Sequence, residues 1–457
     1  MRRHVATFVA AALLLSVAGP AVAGDPAPAR EVTAERGRAT TTPARGSSAA
    51  DPSGRWIVVY KNGTNVARTS TRLARAGGFT ADRTFTSAFR GLTAKLNPRQ
   101  VTRLRMDPAV LAVVPDEKIE LAATTQLVPT GINRINGRLS GAAKIDGVDD
   151  RVNADVAIVD TGIASVADLN VAGGYNCSTA NGALWRDVHG HGTHVAGTVG
   201  AIDNDSGVVG VAPGVRLWAV KILDDGGSGL LSWYVCGLDW IAAQRDPADP
   251  TKPLIESVNM SVTKWGADDH ECGAASNDIL HMAICRVVAG GTTVVAAAAN
   301  DSGSAAARVP AAYNEVITVS ALADTDGKPG AIGGPRCHSW GSYDDDDSFA
   351  NFSNFGSDVD IIAPGKCIWS TVPGGFMYMS GTSMAAPHVA GAVALLKTMR
   401  PKLTPTEVKK GLQDLGTLNW KITSDPDAFH EKLLDVSRIA PRGITVIGAG
   451  GSSTVGR

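Results

Sequence analysis

The chain has 457 residues, with 44 acidic against 43 basic side chains and a formal net charge of −1. That length exceeds the usual reach of one hydrophobic core, so a large domain with smaller pieces is expected. The balanced charge supplies no global basic field, which removes the electrostatic basis for binding nucleic acid or an anionic membrane surface.

Arg2 and Arg3 precede an apolar run over 5–17, and the AVA stretch at 21–23 supplies the small residues of a signal-peptidase site. Residues 1–23 therefore read as a cleaved secretory signal. A membrane anchor needs about 18 apolar residues, and this run is too short. No other segment approaches that length, so a secreted, extracellular, soluble protein is expected. Residues 24–54 are rich in Ala, Pro, Ser, Thr and Arg and read as a flexible linker. Export also changes the reading of Cys177, Cys236, Cys272, Cys285, Cys337 and Cys367. An oxidising compartment favours disulfides. Fifteen pairings are possible and the sequence alone does not choose among them; the short separations within 272/285 and 337/367 favour nearest neighbours paired in chain order.

From Arg55, "RWIVVYK" reads as a strand and 66–76 as a helix. "FTADRTFTSAFRGLTAKL" then reads as two strands around a turn. Pro98 suits a helix start and Pro108 its stop, and "VLAVVPDEKIEL" has apolar strand character. Two strand–helix–strand units within 55–124 predict a small ferredoxin-like α+β domain of the split βαβ kind.

Over 125–441 the texture shifts. "DVAIVD", "VRLWAVKIL", "ESVNMSV", "TTVVAAAAN", "EVITVSAL" and "VDIIAPG" read as strands buried on both faces. Helices are expected over 193–200, 231–245, 277–289 and 383–399. The alternation predicts an α/β domain of three layers, a mainly parallel sheet between helices. The "DDDD" run at 344–347 reads as a solvated loop, and 442–457 as a Gly/Ser-rich tail. The sequence carries no solenoid-type repeat.

Three stretches carry the chemistry. "DVAIVD" ends on Asp160, and in parallel sheets functional groups gather beyond the carboxyl ends of the strands. "DVHGHGTHVAGT" holds His189, His191 and His194. "GTSMAAPHVAGAVALL" presents Ser383 at a helix N-terminus, where free N–H groups favour developing negative charge. A serine hydroxyl is a weak nucleophile until a base takes its proton, and imidazole titrates near neutrality. A carboxylate must then hold that imidazole in one tautomer, so Asp160, His191 and Ser383 can serve as an Asp-His-Ser triad.

The motifs "VDTGI", "HGHGTHVAGT" and "GTSMAAPHVAGAVAL", in that order, resemble the catalytic signatures of the subtilisin-like (subtilase) family of secreted serine endopeptidases. The resemblance runs from Arg55 to about residue 440. It implies His191 as general base, a packing role for His194 and no chemical role for His189. It implies Asn300, after "VVAAAA", as an oxyanion donor beside the Ser383 N–H. Ala299 stands where relatives commonly have glycine, which narrows the specificity pocket. Substrate contacts carry over to Gly227, Ser228 and Gly229 on one cleft edge and to Ser261 and Val262 on the other, with Thr263 replacing a usual glycine. A structural calcium is implied on Gln126, Asp168, Asn204 and the carbonyls of Ile202, Ser206 and Val208, all oxygen donors. No organic cofactor is implied. The small domain resembles the inhibitory propeptide of the family, which acts as an intramolecular inhibitor, with self-cleavage near Thr124 and Thr125. Protein or peptide substrates are expected, with no nucleic-acid or membrane partner, and a monomer.

Two other readings are available. "HGHGTH" is similar to the zinc motif of metallo-β-lactamase-like hydrolases, with Thr193 where that motif has Asp. That reading leaves Asp160 and the Ser383 helix unexplained. A catalytically silent homologue serving as a binding scaffold is opposed by the intact set of Asp160, His191, Asn300 and Ser383.

Overall fold

The computed structural model describes residues 54–116, 126–333, 338–339 and 342–441, with the side chains of 338–343 left aside. The expected signal, linker, Thr124–Thr125 bond and tail lie outside those residues. The chain divides into two compact units, with the boundary between Glu120 and Leu121.

The first unit runs β1 (Arg55–Tyr60), α1 (Val66–Gly77), β2 (Arg83–Phe85), β3 (Gly91–Lys95), α2 (Pro98–Arg105) and β4 (Val110–Pro115). Its antiparallel sheet has the order β2-β3-β1-β4. That is the split βαβ arrangement the sequence predicts. Local signals place the helices: Asn97 and Gln100 form a reciprocal capping box, and Pro98 follows it in the first turn of α2. Val58, Leu73, Leu92 and Leu104 meet beneath the helices to form a small separate core.

The second unit begins with a short helix, α3 (Thr130–Arg134), and is built on an eight-stranded sheet. β5 (Asp155–Asp160) lies at its centre, flanked by β7 (Arg216–Lys221) with β6 (Val171–Asn176) beyond it. On the other side come β8 (Ser257–Met260), β10 (Thr293–Ala297), β12 (Ile317–Ala323) and β14 (Ile361–Pro364). These strands are all parallel; the edge strand β13 (Ser348–Phe349) joins β12 antiparallel. The pairs off the sheet include β9 (Lys264–Trp265) with β11 (Arg308–Val309), and the hairpin of β15 (Ile368–Val372) and β16 (Gly375–Met379).

Successive residues of β5 explain the layers. Val156 and Ile158 enter one apolar cluster, with α4 (His191–Gly200) and α7 (Thr382–Met399). Ala157 and Val159 enter the other, with α5 (Leu231–Ala243) and α6 (Ile279–Ala289). Because side chains alternate across a strand, a strand buried on both faces must be continuously apolar. Helix α7 is buried almost all round, which its run of Ala and Gly permits. A Cβ added to Gly391 would sit 2.7 Å from the Val211 Cβ.

Three features depart from or extend the expectations. β6, "VAGGYN", has no apolar run, yet completes the sheet edge. A final helix, α8 (Pro405–Leu415), starts at a Thr404/Glu407 capping box. The aspartate run is not a solvated loop. Asp346 and Asp347 are buried, Asp347 pairs with Arg134 at 2.5 Å, and Asp344 pairs with Lys366 at 2.6 Å. Cations from elsewhere in the fold compensate Asp344 and Asp347, and Asp346 accepts from the Thr325 N–H and hydroxyl and the Gly333 N–H, which allows the burial.

Of the cysteine pairs, Cys177–Cys236 and Cys272–Cys285 are disulfides as expected. Cys367 is also disulfide-bonded, and its expected partner Cys337 lies outside the described residues. No helix among the described residues is long and apolar enough to cross a membrane.

Candidate active site

The fold brings the singled-out polar residues to one edge of the sheet, beyond the carboxyl ends of β5 and β10. Asp160 is the last residue of β5 and is fully buried. His191 is the first residue of α4, preceded by Gly190 at φ +100°, a conformation that favours glycine. Both Asp160 oxygens face His191 Nδ1, at 2.8 and 2.9 Å, and the Thr161 N–H donates to Asp160 Oδ1 at 2.7 Å. A buried carboxylate is costly unless so paired. Gly192 permits the close approach: a Cβ there would sit 3.1 Å from Asp160 Oδ1 and run into the Gly162 carbonyl.

Burial alone would push the His191 imidazole down, but the charge and hydrogen bond of Asp160, with Asp187 behind, hold it above its ordinary value. Asp187 is a residue that the sequence reading missed. It is 1% exposed and accepts from Thr161 Oγ1 (2.9 Å), the Gly190 N–H (2.9 Å), the Thr193 N–H (2.9 Å) and Thr193 Oγ1 (2.5 Å). It ties the loop before α4 to the end of β5. The one available signal was an aspartate two residues ahead of a histidine-rich turn.

Ser383 is the second residue of α7. Its hydroxyl donates to the Ser261 carbonyl at 3.2 Å, while Ser261 Oγ donates to the Ser383 carbonyl at 3.0 Å. The hydroxyl therefore rests against the wall after β8 rather than on His191. Asn300 stands three residues beyond β10. Its Oδ1 accepts from the Thr382 N–H (2.8 Å) and Thr382 Oγ1 (3.0 Å). Two donors on Oδ1 fix the amide orientation, and Nδ2 makes no hydrogen bond among the described residues. Asn300 Nδ2 and the Ser383 N–H lie 3.5 and 3.6 Å from one point beside Gly381, where a Cβ would stand.

The other two histidines separate from this pair. His194 is fully buried, and its Nε2 donates to the carbonyls of Ile368 (2.9 Å) and Met377 (3.1 Å). Burial pushes it down to about 4, so it is a neutral packing residue, as expected. His189 is exposed and stands over Gly227, its Nε2 3.0 Å from where a Cβ would be. Among the described residues the three rings form no cluster of metal-ligating atoms.

The expected cleft edges are partly committed to local turns. In the loop after β7, the Gly227 N–H donates to the Asp224 carbonyl. The Ser228 N–H is held by Asp224 Oδ1 at 2.9 Å, and its carbonyl accepts from the Asp224 N–H at 2.8 Å. The Gly227 carbonyl and both backbone groups of Gly229 make no hydrogen bond among the described residues. On the other wall, the Ser261 carbonyl takes Ser383, and the Val262 carbonyl takes Tyr234 Oη at 3.1 Å.

A second constellation lies in the loop after α4. The 126–127 segment is bound along it: the Gln126 N–H donates to the Asp205 carbonyl and the Leu127 N–H to the Gly207 carbonyl. The Gln126 amide faces the carbonyls of Ile202 (2.8 Å) and Val208 (3.3 Å). Asn204 Oδ1 accepts from Ser206 N–H and Oγ at 3.2 and 3.1 Å. Asp168 Oδ2 accepts the Val208 N–H at 3.0 Å, but its Oδ1 is buried without a partner. Burial pushes this carboxyl up to about 6. An unpartnered buried carboxylate oxygen beside an amide and two convergent carbonyls is a donor set that suits a hard cation. Turning the Gln126 amide over would offer a further oxygen to the same point.

Comparison with known proteins gives a consistent result. Residues 153–415 match the model of the Subtilase family, and residues 55–122 match that of Peptidase inhibitor I9. Alkaline elastase YaB from Bacillus sp. (strain YaB) is 34% identical over 327 residues, covering 71% of this chain and 74% of the relative. Subtilisin E from Bacillus subtilis (strain 168) is 34% identical over 329 residues with the same coverages. A cold-adapted subtilisin-like serine proteinase of known structure matches with TM-score 0.50 and 28% identity, over 65% of this chain and 97% of that one. The chain therefore belongs to the subtilase family: it is a serine endopeptidase with an I9 inhibitor domain ahead of the enzyme domain.

Proposed function

We propose that Ser383 is the nucleophile, His191 the general base and then acid, and Asp160 the carboxylate that orients the imidazole and stabilises its cation. The observation that carries this reading is the buried Asp160 carboxylate holding His191 Nδ1 with both oxygens. With Nδ1–H donated to Asp160, Nε2 keeps the lone pair and faces outward as the base. Turning the Ser383 hydroxyl from the Ser261 carbonyl to His191 completes the relay when substrate binds; catalytic hydrogen bonds commonly tighten only in the complex.

Ser383 Oγ then attacks the scissile carbonyl carbon, and its proton passes to His191 Nε2. The oxyanion takes the Asn300 Nδ2–H and the Ser383 N–H. His191 returns the proton to the leaving amine, which departs and leaves an acyl-enzyme. Water, deprotonated by the same imidazole, releases the acid and restores Ser383. Protein substrates bind as an extended strand between Gly227, Ser228 and Gly229 on one side and Ser261 and Val262 on the other. Thr263 and Ala299 reshape the pocket for the residue before the cut.

The same reading makes the small domain an intramolecular inhibitor, released by cleavage near Thr124 and Thr125 of an exported monomer. A structural calcium is held by Gln126, Asp168, Asn204 and the carbonyls of Ile202, Ser206 and Val208. Its double charge compensates the Asp168 carboxylate. The test is purified wild type beside Ser383→Ala: the wild type is processed at the boundary and labelled by a serine-directed phosphonate, and the variant does neither. Processing of the pure variant at the same bond would sink the self-cleavage mechanism.

A further inference from the structure

Away from the active site, the stretch between β9 and α6 folds against the start of α6. Within it, Asp268 and Asp269 face His281, the third residue of the helix. His281 is fully buried, and its ring lies flat on Tyr313 with centroids 3.9 Å apart. Its Nε2 is paired with Glu315 Oε2 at 2.9 Å. Its Nδ1 makes no hydrogen bond, although Asp269 Oδ1 lies at 3.2 Å and Asp268 Oδ1 at 3.6 Å.

We propose that Asp268, Asp269 and His281 Nδ1 form a binding site for a divalent transition-metal ion of the zinc type, with Glu315 orienting the histidine. Three observations carry it. Glu315 accepts the Nε2–H, which leaves a lone pair on Nδ1 aimed at two carboxylates. A proton there would need an aligned acceptor, and none is aligned. The separations are those of ligands on one ion: tetrahedral bonds of 2.0–2.1 Å place neighbouring ligand atoms about 3.3 Å apart. A charge-assisted N–H···O bond would instead be about 2.7–2.9 Å. The pattern of a metal-bound histidine whose second nitrogen donates to a carboxylate is the usual one for such ligands.

Charge and rigidity agree. Three carboxylates surround one imidazole; the cationic groups near them are the exposed His270, whose Nδ1 lies 3.2 Å from Asp268 Oδ2, and Lys409, whose Nζ donates to the carbonyls of Asn314 and Val316 on either side of Glu315. A divalent ion compensates this excess. The mixed nitrogen and carboxylate donor set favours zinc over calcium. The neighbouring Cys272 and Cys285 are joined in a disulfide, so they offer no thiolate; their bond fastens the loop to α6 one turn past His281. Asp269 is held by N–H donors from Glu271 and Gly273 on Oδ1 and from Ala275 and Ser276 on Oδ2. Asp268 is less heavily committed, its Oδ1 accepting the His270 N–H at 2.7 Å and its Oδ2 the Asn314 N–H at 3.2 Å, which makes Asp268 the residue to change.

The experiment uses the tag-free full chain carrying Ser383→Ala, with calcium present throughout so that the Asp168 loop is filled. Calorimetric titration with Zn²⁺ is expected to show one ion bound per chain. Asp268→Asn and Glu315→Gln are each expected to weaken it by about 10- to 100-fold, while His191→Ala leaves it unchanged, which separates this site from the active-site histidines. Co²⁺ added to the parent protein is expected to give visible absorption of a low-symmetry nitrogen and oxygen site. Zinc affinity that is the same in Asp268→Asn and Glu315→Gln as in the parent, or a folded parent that takes up neither ion, overturns the proposal.

Discussion

Asp160 and Asp168 are both buried carboxylates, 0% and 6% exposed, yet their surroundings are opposite. Asp160 has both oxygens on an imidazole nitrogen and a backbone N–H on one of them. Asp168 has one oxygen on a backbone N–H; the other makes no hydrogen bond among the described residues, and the Asn204 side chain lies near the carboxyl. The difference separates two uses of a buried charge. A carboxylate that must steady a proton carrier is matched by protein groups alone. On the proposed reading, one that holds a cation is left incomplete by the protein; burial raises the Asp168 pKa.

The comparison breaks first at Asp160. Asp160→Asn keeps the shape but turns a donor toward His191 Nδ1, reversing the tautomer. A fall of about 10⁴-fold in kcat is expected, read by peptide hydrolysis of the processed enzyme. The wild-type pH profile sharpens the point. The base must be neutral to act, and Asp160 raises its pKa. The acid limb of kcat/KM should therefore lie above the usual imidazole value of about 6.5, with activity gained as pH rises through it. An acid limb at or below that value would mean that burial, not Asp160, governs the group.

Asn300→Leu tests the same site without touching the relay. Loss of one oxyanion donor is expected to lower kcat by about 10² to 10³ with KM little changed, the magnitude known for the oxyanion asparagine of subtilisin. On the other side of the comparison, chelation should act on stability and not on kinetics. At a calcium concentration about a thousandfold above Kd, the ion contributes about 4 kcal/mol. A chelator should lower the melting temperature of the Ser383→Ala protein accordingly. In Asp168→Asn most of that difference should vanish, because the carboxylate that requires the ion is gone. Equal chelator sensitivity in both proteins would remove calcium from the Asp168 loop.

How far the sequence disclosed all this follows from the kind of signal each residue leaves. β5 was legible because a strand buried on both faces must be apolar at every position, and all of its residues are buried. Ser383 was legible because a buried helix of small residues starting on Gly-Thr-Ser is an unusual combination. β6 was not, since its place at the sheet edge depends on Gly173 packing against the Trp218 ring, which leaves no apolar period. The aspartate run misled because its neutralising partners, Arg134 and Lys366, are distant in sequence. The resting bond of Ser383 to Ser261 rather than His191 is a choice between hydroxyl orientations that no residue pattern encodes.

The smallest expected effect lies beside the oxyanion donor. Ala299 is buried and held at φ +84°, where a side chain costs about 1–2 kcal/mol. Ala299→Gly removes that strain but gives the unfolded chain more freedom, which offsets about 0.4–1 kcal/mol. A net gain of up to about 1 kcal/mol is expected, read as a melting temperature about 2 °C higher. The strain is adjacent to Asn300, so the substitution also asks what holds that amide. If the two Thr382 donors on Oδ1 are sufficient, kcat stays within about twofold while stability rises. If kcat falls as stability rises, the strained alanine itself helps to aim Nδ2, and the active site too is incomplete in a way the Asp160 pairing does not reveal.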